Sequence, residues 1–239
     1  MLIQVVTLFP EMFHAVFETS ILKRAQDRGI VELRTVDLRR FGVGPHRSTD
    51  DYPFGGGVGM LLRADVLVPA VEWAMMRHRE PARIIVTSAQ GTHFSQALAE
   101  EWAGQDHLII IAGHYEGIDQ RAVTILHGEE VSIGDYIVTG GELPAMIMVD
   151  AVTRLQAGAL GSKTGAHEDS FSSTCAGLLE GPQYTRPRVY RNLGVPEVLI
   201  SGNHKRIAGF QEETQVMVTQ QRRPEILDRP ASRPADIEK

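Results

Sequence analysis

Cysteine is almost missing from the 239-residue sequence. Cys175 is the only one, so an internal disulfide cannot form, and no Cys/His cluster has the spacing of zinc ligands. A disulfide-stapled secreted scaffold and a structural zinc site are therefore not expected, and a reducing, cytoplasmic setting is. Long apolar runs are missing too: none approaches the roughly 18 residues that span a bilayer, so no membrane partner is expected. The apolar start, Met1-Leu-Ile-Gln-Val-Val-Thr-Leu-Phe9, has no basic flank, and Pro10-Glu-Met12 follows it. It reads as a buried first strand and not as a signal peptide. No Gly-Lys-Ser/Thr follows a glycine loop, which argues against a P-loop NTPase. Gly-Gly-Gly-Val-Gly59 has neither dinucleotide-binding spacing nor a βαβ start. No Gly-x-Ser-x-Gly elbow is present, and the cysteine has no histidine close by, which lowers the case for a hydrolase.

What is present is ordinary globular composition, 43% hydrophobic and 23% charged with a net charge of −6, enough for one substantial core and an appendage. The charge is uneven. Residues 1–160 carry 13 Lys and Arg against 20 Asp and Glu, whereas residues 161–239 carry 11 against 10. Between Tyr184 and Arg223, Arg186, Arg188, Arg191, Lys205, Arg206, Arg222 and Arg223 face only Glu197, Glu212 and Glu213. Such a cluster can hold phosphates although the whole chain is acidic; a solvated helix face is the plainer reading.

The first 150 or so residues alternate β-branched runs with amphipathic stretches, the pattern of an α/β fold with a mostly parallel sheet. Strands are expected at 2–8, 31–38, 83–87, 108–112 and 136–139, and helices at 10–27, 64–76, 94–103 and 142–156. From Ala157 the texture turns to Gly, Ser, Thr and Ala. This gives an expected division into a domain at 1–160, a flexible linker at 161–175 and a small, mainly helical domain at 176–239, with a helix at 207–221. The proline-rich end after Leu227 is expected to fray.

Glycine gathers in four loops: Asp50-Asp-Tyr-Pro-Phe-Gly-Gly-Gly-Val-Gly-Met60, Ser88-Ala-Gln-Gly91, Gly113-His-Tyr-Glu-Gly-Ile-Asp119 and Ser132-Ile-Gly-Asp-Tyr-Ile-Val-Thr-Gly-Gly-Glu142. Glycines at strand ends let the backbone approach a ligand, and open α/β sheets bind ligands at the carboxyl ends of their strands. Taken singly each loop is a turn; together they suggest a ligand crevice. Acid–base candidates are sparser. Arg154 ends an apolar helix, and Glu168-Asp169 lies in the linker beside Ser170 and Phe171, where acidic residues are usually just solvated. His46-Arg47 could touch phosphate or pair with Asp50 and Asp51, and Tyr184-Thr-Arg-Pro187 could be only a turn.

At these loops the sequence resembles the bacterial tRNA (guanine-N1)-methyltransferases, a family of knotted SPOUT methyltransferases. The likeness runs from Thr7-Leu-Phe-Pro-Glu-Met-Phe13 through the four glycine loops to Glu168-Asp-Ser-Phe171, Tyr184-Thr-Arg-Pro187 and Ser201-Gly-Asn-His204. So many motifs in one order make it specific. The resemblance implies a deep trefoil knot, which topology rules alone would have excluded. It implies a homodimer with the active site between subunits, S-adenosylmethionine as cofactor, and tRNA as partner, methylated at N1 of guanosine-37, just 3′ of the anticodon. It assigns cofactor contacts to Ser88, Gln90, Gly113, Tyr115, Glu116, Gly117, Ser132, Ile133, Gly134, Asp135, Tyr136, Ile137, Val138, Gly140 and Gly141. Substrate contacts fall on His46, Arg47, Asp50, Gly57, Gly59, Ser170, Tyr184, Arg186 and His204. Asp169 is implied as general base and Arg154 as the partner of O6; no protein metal site is implied, and dependence on Mg2+ is left open. The chain departs from the family pattern at Ala89, where proline is common, at His114, where arginine is frequent, and at Phe210-Gln211, where an aromatic-arginine pair is usual. A non-catalytic tRNA-binding protein and a nucleotide hydrolase are the alternatives from other classes.

Overall fold

The computed structural model describes residues 1–161 and 169–228. Glu168 and the tail after Asp228 lie outside them. The chain divides into two compact units, Met1–Lys163 and Thr164–Lys239.

In the first unit the strands are β1 (Leu2–Thr7), β2 (Glu32–Asp37), β3 (Asp50–Asp51), β4 (Leu61–Leu62), β5 (Arg83–His93), β6 (His107–Ile111) and β7 (Glu129–Ser132). The helices are α1 (Glu11–Phe17), α2 (Ser20–Asp27), α3 (Ala64–Met75), α4 (Gln96–Ala103), α5 (Gln120–Leu126) and α6 (Glu142–Thr153). Five strands form one sheet in the order β2-β1-β6-β5-β7, and every pairing in it is parallel. Parallel sheets need both faces covered, so β1 and β6 at the centre of this one are buried at every position and mostly apolar. Ile3 and Val5 of β1 and Leu108 and Ile110 of β6 point to the face packed by α1, α2, α4 and α6. Val6, Ile109 and Ile111 point to the other, packed by α3 and α5, as the two-residue period of a strand dictates. β3 and β4 make a separate antiparallel pair.

Several expectations are corrected. The helix expected at 10–27 is two helices, because Thr19 is extended and Ser20, the first residue of α2, takes a left-handed φ of 53°. Residues 136–139 are not a strand: the edge of the sheet is β7, and 136–139 run as irregular chain. Their β-branched and aromatic side chains suited either role, but Ile137 is 84% exposed, so they face a cleft instead of a sheet. β5 is longer than the expected 83–87. Its register against β7 slips between Thr87 and Thr92, both of which pair with Val131, so Ser88 to Gly91 are looped out of one continuous strand by a bulge.

The second unit holds a small hairpin, β8 (Val189–Tyr190) with β9 (Leu193–Gly194), and one long helix, α7 (His204–Arg222). Asn203 caps α7, its side chain accepting from the Arg206 amide at 3.2 Å, the usual service of an asparagine at that position. Residues 169–178 fold back in linked turns: the Phe171 amide donates to the Leu178 carbonyl at 2.9 Å, and the Gly177 amide to that of Ser172 at 3.0 Å. Thr219 of α7 fastens this stretch, its buried hydroxyl accepting from the Leu179 amide at 3.0 Å.

Candidate functional site

At the carboxyl ends of β5, β6 and β7 the first unit opens a cleft of about 640 Å3, within the range of small-molecule sites. Three chain segments wall it: the bulge 88–90, the loop 113–118 and the loop 132–141. Thr87 joins the first two, its hydroxyl donating to the Ile111 carbonyl at 3.1 Å and accepting from the Gly113 amide at 3.0 Å. The third loop meets the second where the Gly141 amide donates to the Gly113 carbonyl at 2.6 Å. Only a glycine fits there, since a Cβ on residue 141 would stand 2.5 Å from the Gly113 nitrogen. Ser132 starts the third loop with a tight turn in which its hydroxyl donates to the Gly134 carbonyl at 3.1 Å. The result is a cradle of backbone groups with few side chains in the way, which suits a nucleoside-type ligand held by main-chain contacts.

Of the residues assigned to cofactor by resemblance, Ser88, Gln90, Gly113, Tyr115, Glu116, Gly117, Ser132, Ile133, Gly134, Tyr136, Ile137, Val138, Gly140 and Gly141 all line this cleft. Asp135 does not: its carboxylate points outward and lies 3.0 Å from His93 Nε2. Reading the sequence missed Thr87, Leu61, Ile118 and Pro144, which also line it. Leu61 comes from β4, docked here because the Leu62 amide donates to the Gly117 carbonyl at 2.9 Å and the Glu116 amide to that of Met60 at 3.0 Å.

Those two bonds seat the glycine-rich loop 50–60 beside the cleft. Gly59, at a left-handed φ of 91°, lies under the Glu116 side chain, where a Cβ would collide with the carboxyl group. Asp50 faces Tyr115, and burial followed by the charge of that carboxylate raises the phenol above its ordinary value of 10.0. The loop's large side chains turn outward, with Tyr52 and Val58 exposed and Phe54 98% exposed. Gly57 is at its open edge, next to Pro53. His46 and Arg47 are exposed in the preceding turn. Asp51 pairs with Arg63 at 3.2 Å and not with that turn; Arg63 also holds Asp65 at 2.7 Å, and its guanidinium keeps the Asp65 carboxyl below the ordinary carboxylate value.

Arg154 caps the carboxyl end of α6, its amide donating to the Asp150 carbonyl at 3.0 Å. α6 starts at the cleft, where Pro144 is a wall residue, so at 1.5 Å per residue Arg154 stands about 15 Å further along the axis. In the second unit, Asp169 opens the turns at 169–178, and the Ser170 hydroxyl accepts from the Glu180 amide at 2.9 Å. Tyr184 and Arg186 are exposed, and His204 begins α7. The two units thus each hold part of the expected substrate set. Among the described residues no group of three His, Cys, Asp or Glu is arranged to hold a metal ion, and no helix is long and apolar enough to cross a membrane.

The family model described as tRNA (Guanine-1)-methyltransferase TrmD matches residues 1–229. The chain belongs to that family. Among curated relatives, a tRNA (guanine-N(1)-)-methyltransferase of Moorella thermoacetica is 50% identical over 238 residues, covering 99% of this chain and 94% of the relative. Proteins of the same name from Staphylococcus epidermidis and Geobacillus kaustophilus are 48% and 49% identical over 228 residues, covering 95% of this chain and 91% and 92% of the relatives.

Proposed function

We propose that the protein transfers a methyl group from S-adenosylmethionine to N1 of guanosine-37 in tRNA. The observation that carries this reading is the backbone-lined cleft at the strand ends, built from the loops at 88, 113 and 132, in a chain of the tRNA (guanine-N1)-methyltransferase family. Its residues fit the cofactor: Gly113, Gly117, Gly134, Gly140 and Gly141 let a ligand come close to the main chain, and Ile133, Ile137, Val138 and Pro144 supply apolar walls. When bound there, the cofactor supplies a methyl group made electrophilic by its sulfonium.

The protein's own task then lies with the guanine, whose N1 carries a proton at neutral pH. The Asp169 carboxylate takes that proton as the methyl arrives, and the Arg154 guanidinium balances the negative charge that grows on O6. Tyr52, Phe54 and Val58 on the loop 50–60 offer exposed apolar surface beside the cleft for an unstacked base. His46, Arg47, Asp50, Gly57, Gly59, Ser170, Tyr184, Arg186 and His204 contact the substrate, and the basic residues between Tyr184 and Arg223 draw its phosphates.

The same reading takes the chain as a homodimer with composite sites, knotted around the loops that form the cleft. Two features of α6 support the dimer. Leu143 and Ile147, 50% and 48% exposed, continue through Asp150 to Arg154 as one unburied stripe of an otherwise buried helix. Moreover, an arginine about 15 Å along α6 from the cleft wall is too far to serve its own cleft, whereas a second α6 crossing this stripe would bring it to the partner's. The enzyme acts on tRNA in the cytoplasm. Calorimetric titration with S-adenosylmethionine tests the cleft: one site per chain is expected, and no binding would leave a tRNA-binding protein without catalysis.

A further inference from the structure

The proposed reaction leaves unexplained a carboxylate placed inside the protein. Glu142, the first residue of α6, is 2% exposed. The Thr7 hydroxyl, at the end of β1, donates to its Oε1 at 3.1 Å, and His114 Nδ1 stands 3.4 Å from its Oε2. An ionised Glu142 only accepts, and the bond then requires the proton on Nδ1. Thr7 is itself fixed, its hydroxyl accepting from the Phe9 amide at 3.0 Å. One carboxylate therefore ties together three segments that meet at the cleft: the end of β1, the loop after β6 and the first turn of α6. Gly140 lies directly over the pair, where a Cβ would come within 2.5 Å of His114 Nδ1. The imidazole is wedged between Phe9 and Tyr115, with ring centres 4.9 and 5.0 Å away. Behind it is a second cavity of about 180 Å3, and His114, Thr139 and Gly140 form the partition between that cavity and the cofactor cleft.

We propose that His114 and Glu142 are positioning residues that latch the turn at 139–141 onto the loop at 113–117 and thereby set the affinity of the cleft for its cofactor. Neither has to touch the reacting atoms. A buried carboxylate deprived of a donor is costly, so without His114 the first turn of α6 shifts toward water, and the Gly140–Gly141 turn, joined to it, opens away from Gly113. The inference rests on the reading of this cleft as the S-adenosylmethionine site.

The test uses the full-length chain with His114→Asn, His114→Gln and His114→Ala, measured in steady state with cofactor and tRNA varied in turn. An asparagine amide nitrogen can occupy the place of Nδ1, whereas glutamine carries its amide one bond further, where it misses Glu142. His114→Asn should keep the KM for S-adenosylmethionine within about twofold of wild type. His114→Gln and His114→Ala should raise it on the order of tenfold, the loss expected for one hydrogen bond to a charged group, with the KM for tRNA unchanged. Combining Glu142→Gln with His114→Ala should add little to His114→Ala alone. Wild-type cofactor KM in the alanine variant, equal damage from asparagine and glutamine, or additive effects in the double variant would each overturn the latch. If the alanine variant does not fold, the asparagine and glutamine pair still decides. Failure of the wild-type chain to bind S-adenosylmethionine would instead remove the reading of the cleft itself, and the latch with it.

Discussion

Thr87→Val replaces a hydroxyl by a methyl of nearly the same shape at the joint between two walls of the cleft. The hydroxyl makes two hydrogen bonds, from the Gly113 amide and to the Ile111 carbonyl, and valine can make neither. A buried polar group left unpaired costs about 1–3 kcal/mol. Both groups here lie near the cleft and regain some water, so a total near 2 kcal/mol is expected, within that range. For a domain of 150 to 250 residues each kcal/mol moves Tm by about 2–4 °C, which gives a fall of roughly 4–8 °C. Affinity for S-adenosylmethionine should weaken as well, because the Gly113 amide is no longer held in place. Thr87→Ser is the control: it keeps the hydroxyl and forfeits one methyl group, about 0.8 kcal/mol, so most of the stability and the affinity should survive. The assay is thermal unfolding by circular dichroism with and without cofactor. A valine variant that melts with or above the serine variant, and binds cofactor as well, would refute the bridge.

Other perturbations reach the rest of the molecule. Asp169→Asn should leave S-adenosylmethionine affinity near wild type while single-turnover methylation falls by about 10²- to 10⁴-fold, the usual worth of a general base; recovery at saturating tRNA would show that Asp169 only orders its segment. Arg186→Ala should weaken tRNA binding and reduce the slope of log K against log salt by about one unit per lost phosphate contact, and an unchanged slope would return the basic run to a solvated surface. His107 is buried with Nε2 2.8 Å from Gln4 Oε1, and burial lowers its pKa below the ordinary 6.5. The unfolded chain therefore takes up the proton first, so the contribution to stability is intact above pH 6.5 and is lost as pH falls toward the lowered value, with a slope of at most about 1.4 kcal/mol per pH unit. His107→Gln should flatten the fall of Tm between pH 7 and 5, and an equal fall in both proteins would contradict the assignment.

The sheet was legible where burial enforces a period. β1 and β6 are buried at every position, and the spacing of α3 and α4 marks their inward faces. It was not legible where apolar residues serve a cleft. Tyr136 to Thr139 carry a strand's composition but line the cleft, while the true edge strand β7, Glu129–Ser132, opens with two acids and has no strong alternation. α5 is seven residues long, too short to show a helical face, and the bulge in β5 appears only as Gly91 in a polar break. The cleft was marked by its glycines, since tight backbone contacts such as Gly141 on Gly113 exclude side chains. Its apolar wall, Leu61, Ile118 and Pro144, reads in sequence as ordinary core. The Thr7–Glu142–His114 contact joins residues 135 and 28 positions apart, and no local pattern announces it.

The central claim is methyl transfer to one atom of one base. Incubating the protein with methyl-labelled S-adenosylmethionine and unmodified tRNA transcripts, then mapping the labelled nucleotide, tests it most directly. The expected result is label on N1 of guanosine-37 alone, lost when that guanosine is replaced by adenosine. Label at another base or another atom of the guanine, or no transfer by a chain that binds both cofactor and tRNA, would contradict it.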